Sequence, residues 1–294
     1  MFPNKDSSFL ILGAGGFVGS YIRGLCDVLD LRYIGTSKGG RDGLIPFDAG
    51  DNQHWAKLEQ ELETVSISAI IDLVAPNVSP VRRREGIQPS LYAYPDRLIL
   101  LADRLGTPIV HVGTDLPISK EDTYGSFKDV ILRSLLSGGK RVTVVTAPRL
   151  IGVGLSQHFL AGSMVKSALE ERPISLDEPD VVRGFLSVRT IVQEIICVAM
   201  EGHYYGRPSF QAEREYLSTA AFYSKVLSIY ARLKAEGTTF RSGDVNPADL
   251  KEWTRQCWKG RFELSQGDKK DIFEGCSYTL DEEIEAMFKH GRGG

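Results

Sequence analysis

The apolar residues in the first half of this chain fall into short continuous runs, each followed by a segment with helical spacing. Five runs are predicted strands, at residues 9–12, 31–37, 67–74, 108–112 and 142–146. Helical spacing predicts four helices, at residues 17–29, 53–63, 91–105 and 124–136. Apolar strands that alternate with helices are typical of a parallel sheet with both faces covered. The pattern therefore predicts an α/β fold with a Rossmann-type doubly wound parallel sheet.

Beyond residue 148 this alternation weakens. Helices are predicted at residues 159–171, 188–200, 220–234, 247–258 and 281–288, with Gly- and Pro-rich connections between them. We therefore predict two domains. Residues 1–154 form a dinucleotide-binding Rossmann domain, and residues 155–294 form a smaller, mainly helical substrate-binding cap, in which residues 175–200 could complete the sheet.

A cluster of glycines joins the first predicted strand to the first helix. Glycine lets the backbone turn sharply and approach a pyrophosphate, whose charge the free N–H groups at the helix start then meet. The spacing of Gly13, Gly16 and Gly19 is G-x-x-G-x-x-G, and Gly15 adds a further small residue. The predicted cofactor contacts in this loop are Gly13, Gly15, Gly16, Phe17, Val18 and Gly19.

The end of the second strand indicates which nicotinamide cofactor is preferred. Sites for NAD place an acidic residue there to hold the ribose 2′-hydroxyl. This chain has Ser37 and Lys38 instead, followed by Arg41. A hydroxyl, an ammonium and a guanidinium would hold a 2′-phosphate, which a carboxylate would repel. The sequence therefore favours NADP(H), with NAD(H) as the alternative. Alternatively, Lys38 and Arg41 are simply solvated charges in a loop.

Two tyrosines have a lysine four residues later, which puts both side chains on one helix face. A nearby ammonium lowers the pKa of a phenol, so such a tyrosine can exchange a proton with a substrate oxygen. Tyr124 and Lys128 follow the fourth strand, at the ligand edge of the predicted sheet. Tyr230 and Lys234 lie inside a late amphipathic helix, where Tyr230 is predicted to be a packing residue.

The fourth strand ends with two further polar candidates. The hydroxyl of Thr114 could orient a substrate carbonyl or hydroxyl toward Tyr124. Asp115 could support acid–base chemistry or cap the following turn, and the sequence leaves both open. His111 lies within the apolar strand and is predicted to be a satisfied core histidine.

Composition and charge narrow the possible classes of protein. A formal net charge of -3 gives no basic field for nucleic acid and no polybasic membrane patch. The N-terminus lacks the layout of a signal peptide, and no apolar run approaches the ~18 residues that cross a bilayer. The four cysteines form no C-x-x-C pair and are predicted to be reduced thiols. We predict a cytoplasmic protein without a metal site.

The glycine spacing, Thr114 and the pair Tyr124/Lys128 together resemble the extended short-chain dehydrogenase/reductase superfamily, which includes nucleotide-sugar epimerases, dehydratases and reductases. The Thr114-Asp115 pair resembles its dTDP-sugar dehydratase and keto-sugar reductase branches. Weaker matches are found at residues 47–49, 73–75, 146–152 and 183–188.

The resemblance implies a role for each matched residue. Tyr124 would be the general acid/base, with Thr114 and Lys128 as the other catalytic residues. Further cofactor contacts would come from Asp48, Ala49, Val74, Ala75, Lys128 and Pro148. Substrate contacts would come from Thr114, Asp115 and Arg183, with Arg183 holding a nucleotide diphosphate.

Three departures from the family pattern modify these expectations. Leu116 replaces the glutamate of the dehydratases, which argues against a dehydration reaction. Only ten positions separate Thr114 from Tyr124, so the substrate pocket should be reshaped. Arg189 and Thr190 replace an acidic pair after the 183–188 segment.

The sequence thus predicts an NADP(H)-dependent oxidoreductase or epimerase that acts on a nucleotide-linked sugar, as a 4-keto-sugar reductase or an epimerase. The alternative is an NADP(H)-binding redox-sensing regulatory protein without turnover. The resemblance also implies a homodimer formed through the helices at residues 91–105 and 124–136. Nucleic acid and membranes are not expected as partners.

Overall fold

A computed structural model of the chain describes residues 6–75, 89–115, 123–138, 141–201, 214–240, 247–264 and 278–290. These residues divide into two compact units, one drawn from Met1–Ala147 and Gln193–Gln211 and the other from Pro148–Val192 and Ala212–Gly294. No helix among the described residues has the length and apolar composition needed to cross a bilayer.

A six-stranded parallel sheet forms the centre of the first unit. Its strands are β1 (Ser8–Leu12), β2 (Tyr33–Ser37), β3 (Ile45–Pro46), β4 (Ile67–Asp72), β5 (Ile109–Thr114) and β6 (Val142–Ala147). They lie in the order β3-β2-β1-β4-β5-β6, and every neighbouring pair is parallel. This is the Rossmann order. The predicted fold class is therefore confirmed.

Four α-helices of the first unit follow the predicted pattern. They are α1 (Phe17–Val28), α2 (Asn52–Leu62), α3 (Tyr94–Leu105), which a 3-10 turn at Pro89–Ala93 precedes, and α4 (Thr123–Gly138). Leu10 and Leu12 of β1 pack in one core cluster with side chains of α2, α3 and α4, among them Leu58, Leu98 and Phe127. Each such fully buried side chain stabilises the fold by about 1.5–3 kcal/mol.

The shortest strand of this sheet is absent from the sequence prediction. β3 has only two residues, and it pairs through Thr36↔Ile45 and Ser37↔Pro46. A proline cannot donate to a ladder and is tolerated at a sheet edge. Two residues at an edge leave no periodic signal, so the segment reads as a loop in the sequence.

The second unit combines five helical segments with a small sheet. The helices are α5 (Leu160–Leu169), the start of α6 (Val188–Glu201), α7 (Thr219–Ala235), α8 (Pro247–Leu264) and α9 (Leu280–His290). The strands are β7 (Arg149–Ile151), β8 (Val182–Ser187) and β9 (Glu215–Ser218), in the order β7-β8-β9. β7 pairs with β8 in parallel, and β8 pairs with β9 antiparallel. The sequence predicts the helices here and misses the short strands β7 and β9. It predicts that residues 175–200 could complete the main sheet, but β8, which lies in this range, belongs to this separate sheet instead.

Side-chain caps fix where two of these helices begin. Ser218 accepts a hydrogen bond from the Ala221 N–H at the start of α7 (3.1 Å). Before α9, the Glu282 N–H donates to Thr279 Oγ1 (3.2 Å) and the Thr279 N–H donates to Glu282 Oε2 (2.8 Å). The second arrangement is a capping box, which satisfies two N–H groups that a helix otherwise leaves free.

A buried ion pair joins α6 to α9. Arg189 Nε donates to Glu283 Oε1 (2.6 Å), and Ser187 Oγ donates to the same oxygen. The guanidinium also lies over the Tyr278 ring, 3.8 Å from its centroid. The Glu283 side chain is fully buried. Burial raises the pKa of Glu283, and the Arg189 charge opposes this shift.

The second tyrosine–lysine pair, Tyr230 and Lys234, lies on α7. Tyr230 packs against the core of this unit, and its hydroxyl donates to Glu171 Oε1 (2.9 Å). Lys234 pairs with the same carboxylate. Tyr230 is therefore a packing residue, as predicted.

We expect Arg189→Leu to lower the free energy of unfolding by about 3–5 kcal/mol at neutral pH, because it leaves a buried carboxylate without its cation. Loss of Arg189 raises the folded-state pKa of Glu283 further above its unfolded value. The penalty is therefore absent at low pH, where Glu283 is protonated in both folded proteins, and it grows as the pH rises above the raised folded-state pKa that Glu283 has in the wild type. Urea unfolding at several pH values measures this effect.

The double variant Arg189→Leu/Glu283→Leu is the control. It removes both charges, so it should recover at least half of the lost stability. If the double variant is as unstable as Arg189→Leu at every pH, the buried charge is not the cause.

Candidate dinucleotide-binding and catalytic site

The carboxyl ends of β1, β2, β4 and β5 all lie at one edge of the sheet, because these strands are parallel. The strand order reverses between β1 and β4. From β1 the chain adds β2 and β3 on one side of the sheet, and it then returns to add β4, β5 and β6 on the other side. Open α/β sheets bind ligands at such a switch point, outside the carboxyl ends of the strands. The loops that follow β1 and β4 meet here.

Gly13 makes the turn directly after β1. Its φ is +84°, and a Cβ there would lie 3.3 Å from the backbone C and O of Leu73. Its N–H donates to Thr36 Oγ1 at 3.2 Å. Only glycine combines this left-handed conformation with such close contact. Gly13 thereby ties the end of β1 to the ends of β2 and β4.

Gly19 brings α1 against the same loop. A Cβ on Gly19 would lie 2.5 Å from Gly13 O and 2.6 Å from Ala14 Cα, which are backbone atoms. The helix axis can approach the loop this closely only because no side chain intervenes. The start of α1 is therefore fixed by backbone contact.

The first turn of α1 has polar groups to offer a ligand. Gly16 is the N-cap residue, no side chain caps it among the described residues, and the first turn carries no acidic residue. The first N–H groups of an uncapped helix, with the positive end of its dipole, bind anions. Those groups belong to the predicted cofactor contacts Phe17, Val18 and Gly19.

Gly15 and Ser37 form a second contact between β1 and β2. A Cβ on Gly15 would lie 2.7 Å from Ser37 Cβ. Ser37 Oγ is buried and has no hydrogen-bond partner among the described residues. A buried hydroxyl without a partner costs free energy unless a bound molecule satisfies it. Its position beside the glycine loop fits a polar group of a dinucleotide.

The positive charges after β2 have different partners. Lys38 Nζ lies 2.8 Å from Asp48 Oδ2, and this ammonium holds the pKa of Asp48 below its usual value. Asp48 also accepts from the Gly50 N–H through Oδ1 (3.1 Å). Arg41 is exposed, and the structure records no ion pair between it and a described residue. Two residues that the sequence assigns to separate cofactor contacts, Lys38 and Asp48, thus bind each other.

Lys128 reaches the sheet edge from α4. Its Nζ donates to Val112 O of β5 at 3.0 Å, and the residue is 6% exposed. Burial lowers the pKa of this ammonium, and the Asp72 carboxylate opposes the shift. Tyr124 lies in the first turn of α4, one turn before Lys128, but its side chain lies outside the described residues.

A buried polar cluster at the end of β4 and within β5 was not predicted. Asp72 accepts from Tyr94 Oη (2.6 Å) and is 2.6 Å from His111 Nδ1. His111 is buried, as predicted for a core residue, yet its Nε2 has no hydrogen-bond partner among the described residues. The sequence signal that could have indicated this cluster is Asp72, the one charged residue in the apolar run 67–74.

The remaining predicted residues fall at the ends of strands. Thr114 ends β5 and pairs in register with Ala147 of β6, and the Asp115 N–H donates to Ala147 O (3.2 Å). Val74 and Ala75 follow β4, and the Val74 N–H donates to Asp72 Oδ1 (3.0 Å).

Three further predicted contacts are Ala49, Pro148 and Arg183. Ala49 is buried, and its carbonyl accepts from the Trp55 indole N–H (2.9 Å). Pro148 and Arg183 belong to the second unit. Arg183 pairs there with Glu178, and its Nε donates to Thr219 Oγ1 (3.2 Å). Residues 116–122, the short loop of the sequence prediction, lie outside the described residues.

Solved structures of nucleotide-sugar enzymes resemble this chain. The UDP-glucose 4-epimerase of Thermus thermophilus, in complex with NAD, superposes with a TM-score of 0.65 at 13% identity and covers 95% of this chain and 97% of its own. The dTDP-glucose 4,6-dehydratase of Bacillus anthracis, also with NAD, has a TM-score of 0.63 at 16% identity, with 96% and 95% covered. A dTDP-4-dehydrorhamnose reductase of Clostridium acetobutylicum has a TM-score of 0.61 at 16% identity, with 76% and 80% covered.

The chain has the Rossmann fold of these enzymes. The fold that the sequence resemblance implies is thus confirmed. No known family profile matches the sequence, and no curated protein sequence is significantly similar to it. At 13–17% identity, the shared fold carries no residue roles by itself.

We expect Gly19→Ala to destabilise the protein by about 1–3 kcal/mol, because the added methyl overlaps backbone atoms that cannot move aside. In an ordinary helix the same change would stabilise by up to about 1 kcal/mol. Gly39→Ala is the control, since its Cβ would have no neighbour closer than 3.9 Å among the described residues. Thermal or urea unfolding of the ligand-free protein measures both variants. A Gly19→Ala protein as stable as Gly39→Ala would contradict the backbone contact.

Proposed function

We propose that this protein is an NADP(H)-dependent oxidoreductase or epimerase that acts on a nucleotide-linked sugar, as a divergent extended short-chain dehydrogenase/reductase. The observation that carries the proposal is the uncapped start of α1 at the switch point of the sheet, with the buried ammonium of Lys128 at the same edge. The first feature suits a pyrophosphate and the second suits a ribose or a reacting oxygen.

The residues present fit a dinucleotide. Gly13, Gly15 and Gly16 would face the pyrophosphate, and the unpartnered hydroxyl of Ser37 would satisfy a ribose oxygen. Lys128 Nζ makes one recorded hydrogen bond, which leaves donors for the nicotinamide ribose. When bound, a nicotinamide cofactor supplies or accepts a hydride.

The preference for NADP(H) rests on the end of β2. No acidic side chain is present at positions 36–38, and Arg41 is exposed without a recorded ion pair to a described residue. Lys38 is less available, because it already binds Asp48. Arg41 would therefore be the main 2′-phosphate contact, with Lys38 shared between Asp48 and the phosphate.

Three side chains would perform the chemistry. Tyr124 would donate a proton to the substrate carbonyl in reduction and accept one from a hydroxyl in oxidation. Lys128, one helical turn away, would lower the pKa of that phenol. Thr114, at the end of β5, would hydrogen-bond the same substrate oxygen and orient it.

The substrate class is supported by the enzymes whose solved structures resemble this chain. The similar structures include a UDP-glucose epimerase, a dTDP-glucose dehydratase and a dTDP-4-dehydrorhamnose reductase. We assign substrate binding to residues 155–294 together with Thr114 and Asp115. Arg183 would hold the diphosphate only after it exchanges its partner Glu178 for the ligand.

A homodimer is part of this proposal. α3 and α4 pack against each other and expose the large apolar residues Leu100 (67%), Val130 (39%) and Leu136 (55%). Apolar side chains concentrated on two neighbouring helices suit a symmetric contact with a second copy.

We expect Tyr124→Phe to lower kcat about 10²–10⁴-fold with keto-sugar nucleotides and NADPH, because the substrate oxygen loses its proton donor. Cofactor binding, measured by NADPH fluorescence, should persist. Tyr230→Phe, in the other tyrosine–lysine pair, is the matched control and should retain full activity.

The outcomes separate the candidate functions. Net NADPH consumption indicates reduction, whereas interconversion of sugar epimers without net consumption indicates epimerisation. Cofactor binding without turnover on any keto-sugar nucleotide would favour the redox-sensing regulatory alternative. Unchanged activity in Tyr124→Phe would remove its catalytic role.

A further inference from the structure

Three hydrogen-bond donors hold the carboxylate of Asp72 in one position. Oδ1 accepts from Tyr94 Oη (2.6 Å) and from the Val74 N–H (3.0 Å), and Oδ2 lies 2.6 Å from His111 Nδ1. The side chains of Asp72 and His111 are both fully buried. With its lone pairs engaged by residues of β5, α3 and its own loop, Asp72 cannot swing toward another partner.

The protonation states of this cluster leave one net negative charge in the sheet. Burial alone would raise the pKa of Asp72, but the electrostatic interaction and hydrogen bond with His111, the Lys128 ammonium and the hydrogen bond from Tyr94 hold it below its usual value. Burial and the Lys128 ammonium lower the pKa of His111, so the imidazole is neutral near pH 7. Burial and Asp72 raise the pKa of Tyr94 well above its usual value, so its phenol remains a donor.

Lys128 brings the matching positive charge without touching the carboxylate. Its Nζ donates to Val112 O (3.0 Å), and among the described residues it forms no ion pair within 4.0 Å. Its charge nevertheless acts on both Asp72 and His111. A buried charge without compensation is costly, so each of the two ions stabilises the other across this gap.

We infer that Asp72 is a positioning residue, the fixed counter-ion of Lys128, which keeps the ammonium charged at the ligand edge without occupying the donors that Val112 O leaves unused. If a carboxylate contacted Lys128 directly, it would occupy those donors. If no carboxylate were nearby, burial would favour the neutral amine. That these donors bind a cofactor ribose is the part of the inference that rests on the proposed function. The charge coupling itself does not depend on it.

NMR of the ligand-free protein with ¹³C-labelled lysine tests the coupling directly, with the Lys128 signal assigned through Lys128→Met. Among the described residues, the titratable groups that interact with this ammonium are Asp72 from β4 and His111 from β5, and Tyr94 from α3 donates to Asp72. In Asp72→Asn, the titration of Lys128 should shift to lower pH by at least about one unit, because the opposite charge is lost. Tyr94→Phe removes a hydrogen bond from the same carboxylate and keeps its charge, so it should shift the titration much less.

A second variant decides the question if Asp72→Asn does not fold. Lys128→Met leaves the Asp72 carboxylate without its cation, which raises its folded-state pKa. Its urea midpoint should therefore fall increasingly below that of the wild type as the pH rises through the lowered folded-state pKa that Asp72 has in the wild type. A constant difference at all pH values, or an unshifted Lys128 titration in a folded Asp72→Asn, would overturn the inference.

Cofactor binding supplies the separate test of the functional part. In Asp72→Asn, NADPH should lose affinity at a lower pH than in the wild type, since Lys128 loses its proton earlier. If the wild type binds neither NADPH nor NADH, the proposed function fails, and the lysine titration still decides whether Asp72 is the counter-ion. If the wild type binds NADPH and Asp72→Asn shows the same pH dependence, the positioning role fails alone.

Discussion

The backbone contact between Gly13 and Gly19 is the constraint on which the site depends. It places the first turn of α1 directly on the loop that leaves β1, at a distance that no side chain permits. The same loop is held to β2 through Thr36 and to β4 through Leu73. The helix start and the carboxyl ends of three strands are thereby fixed together. The N–H groups of α1 are oriented before any ligand arrives, which reduces the entropic cost of binding.

A second constraint acts on the adjacent side of the switch point. Asp72 and Lys128 carry opposite charges into a region from which water is largely excluded, and neither neutralises the other by direct contact. The two constraints are complementary. The glycine loop offers neutral backbone donors, which suit a delocalised phosphate charge, and Lys128 offers a localised ammonium, which suits a hydroxyl.

The sequence predicts the central sheet well because its strands are buried on both faces and therefore read as continuous apolar runs. Ser8–Leu12, for example, is buried at every position. The positions of the glycines could also be predicted from the sequence, since their spacing follows from backbone geometry. β3, β7 and β9 could not be predicted, because strands of two to four residues acquire their structure from pairing partners distant in sequence. β8 has six residues, but Arg183 and Gly184 interrupt its apolar run.

Side-chain partnerships were the least predictable part of the site. The bond between Lys38 and Asp48 depends on β3 returning the chain to the end of β2, and β3 itself was missed. Asp72 and His111 are adjacent only through the parallel register of β4 and β5, in which they are paired. Sequence spacing gives neither contact, whereas Tyr124 and Lys128 were found because one helical turn relates them.

The most direct measurement of the central claim is an amide NMR titration of the ¹⁵N-labelled protein with NADPH and, separately, with NADH. A dinucleotide bound at the start of α1 predicts that the amides of Gly15, Gly16 and Phe17 shift with both cofactors, and that Ser37 and Arg41 respond more strongly to NADPH. Amides of the glycine loop that remain unchanged at saturating concentrations of either cofactor would contradict the account.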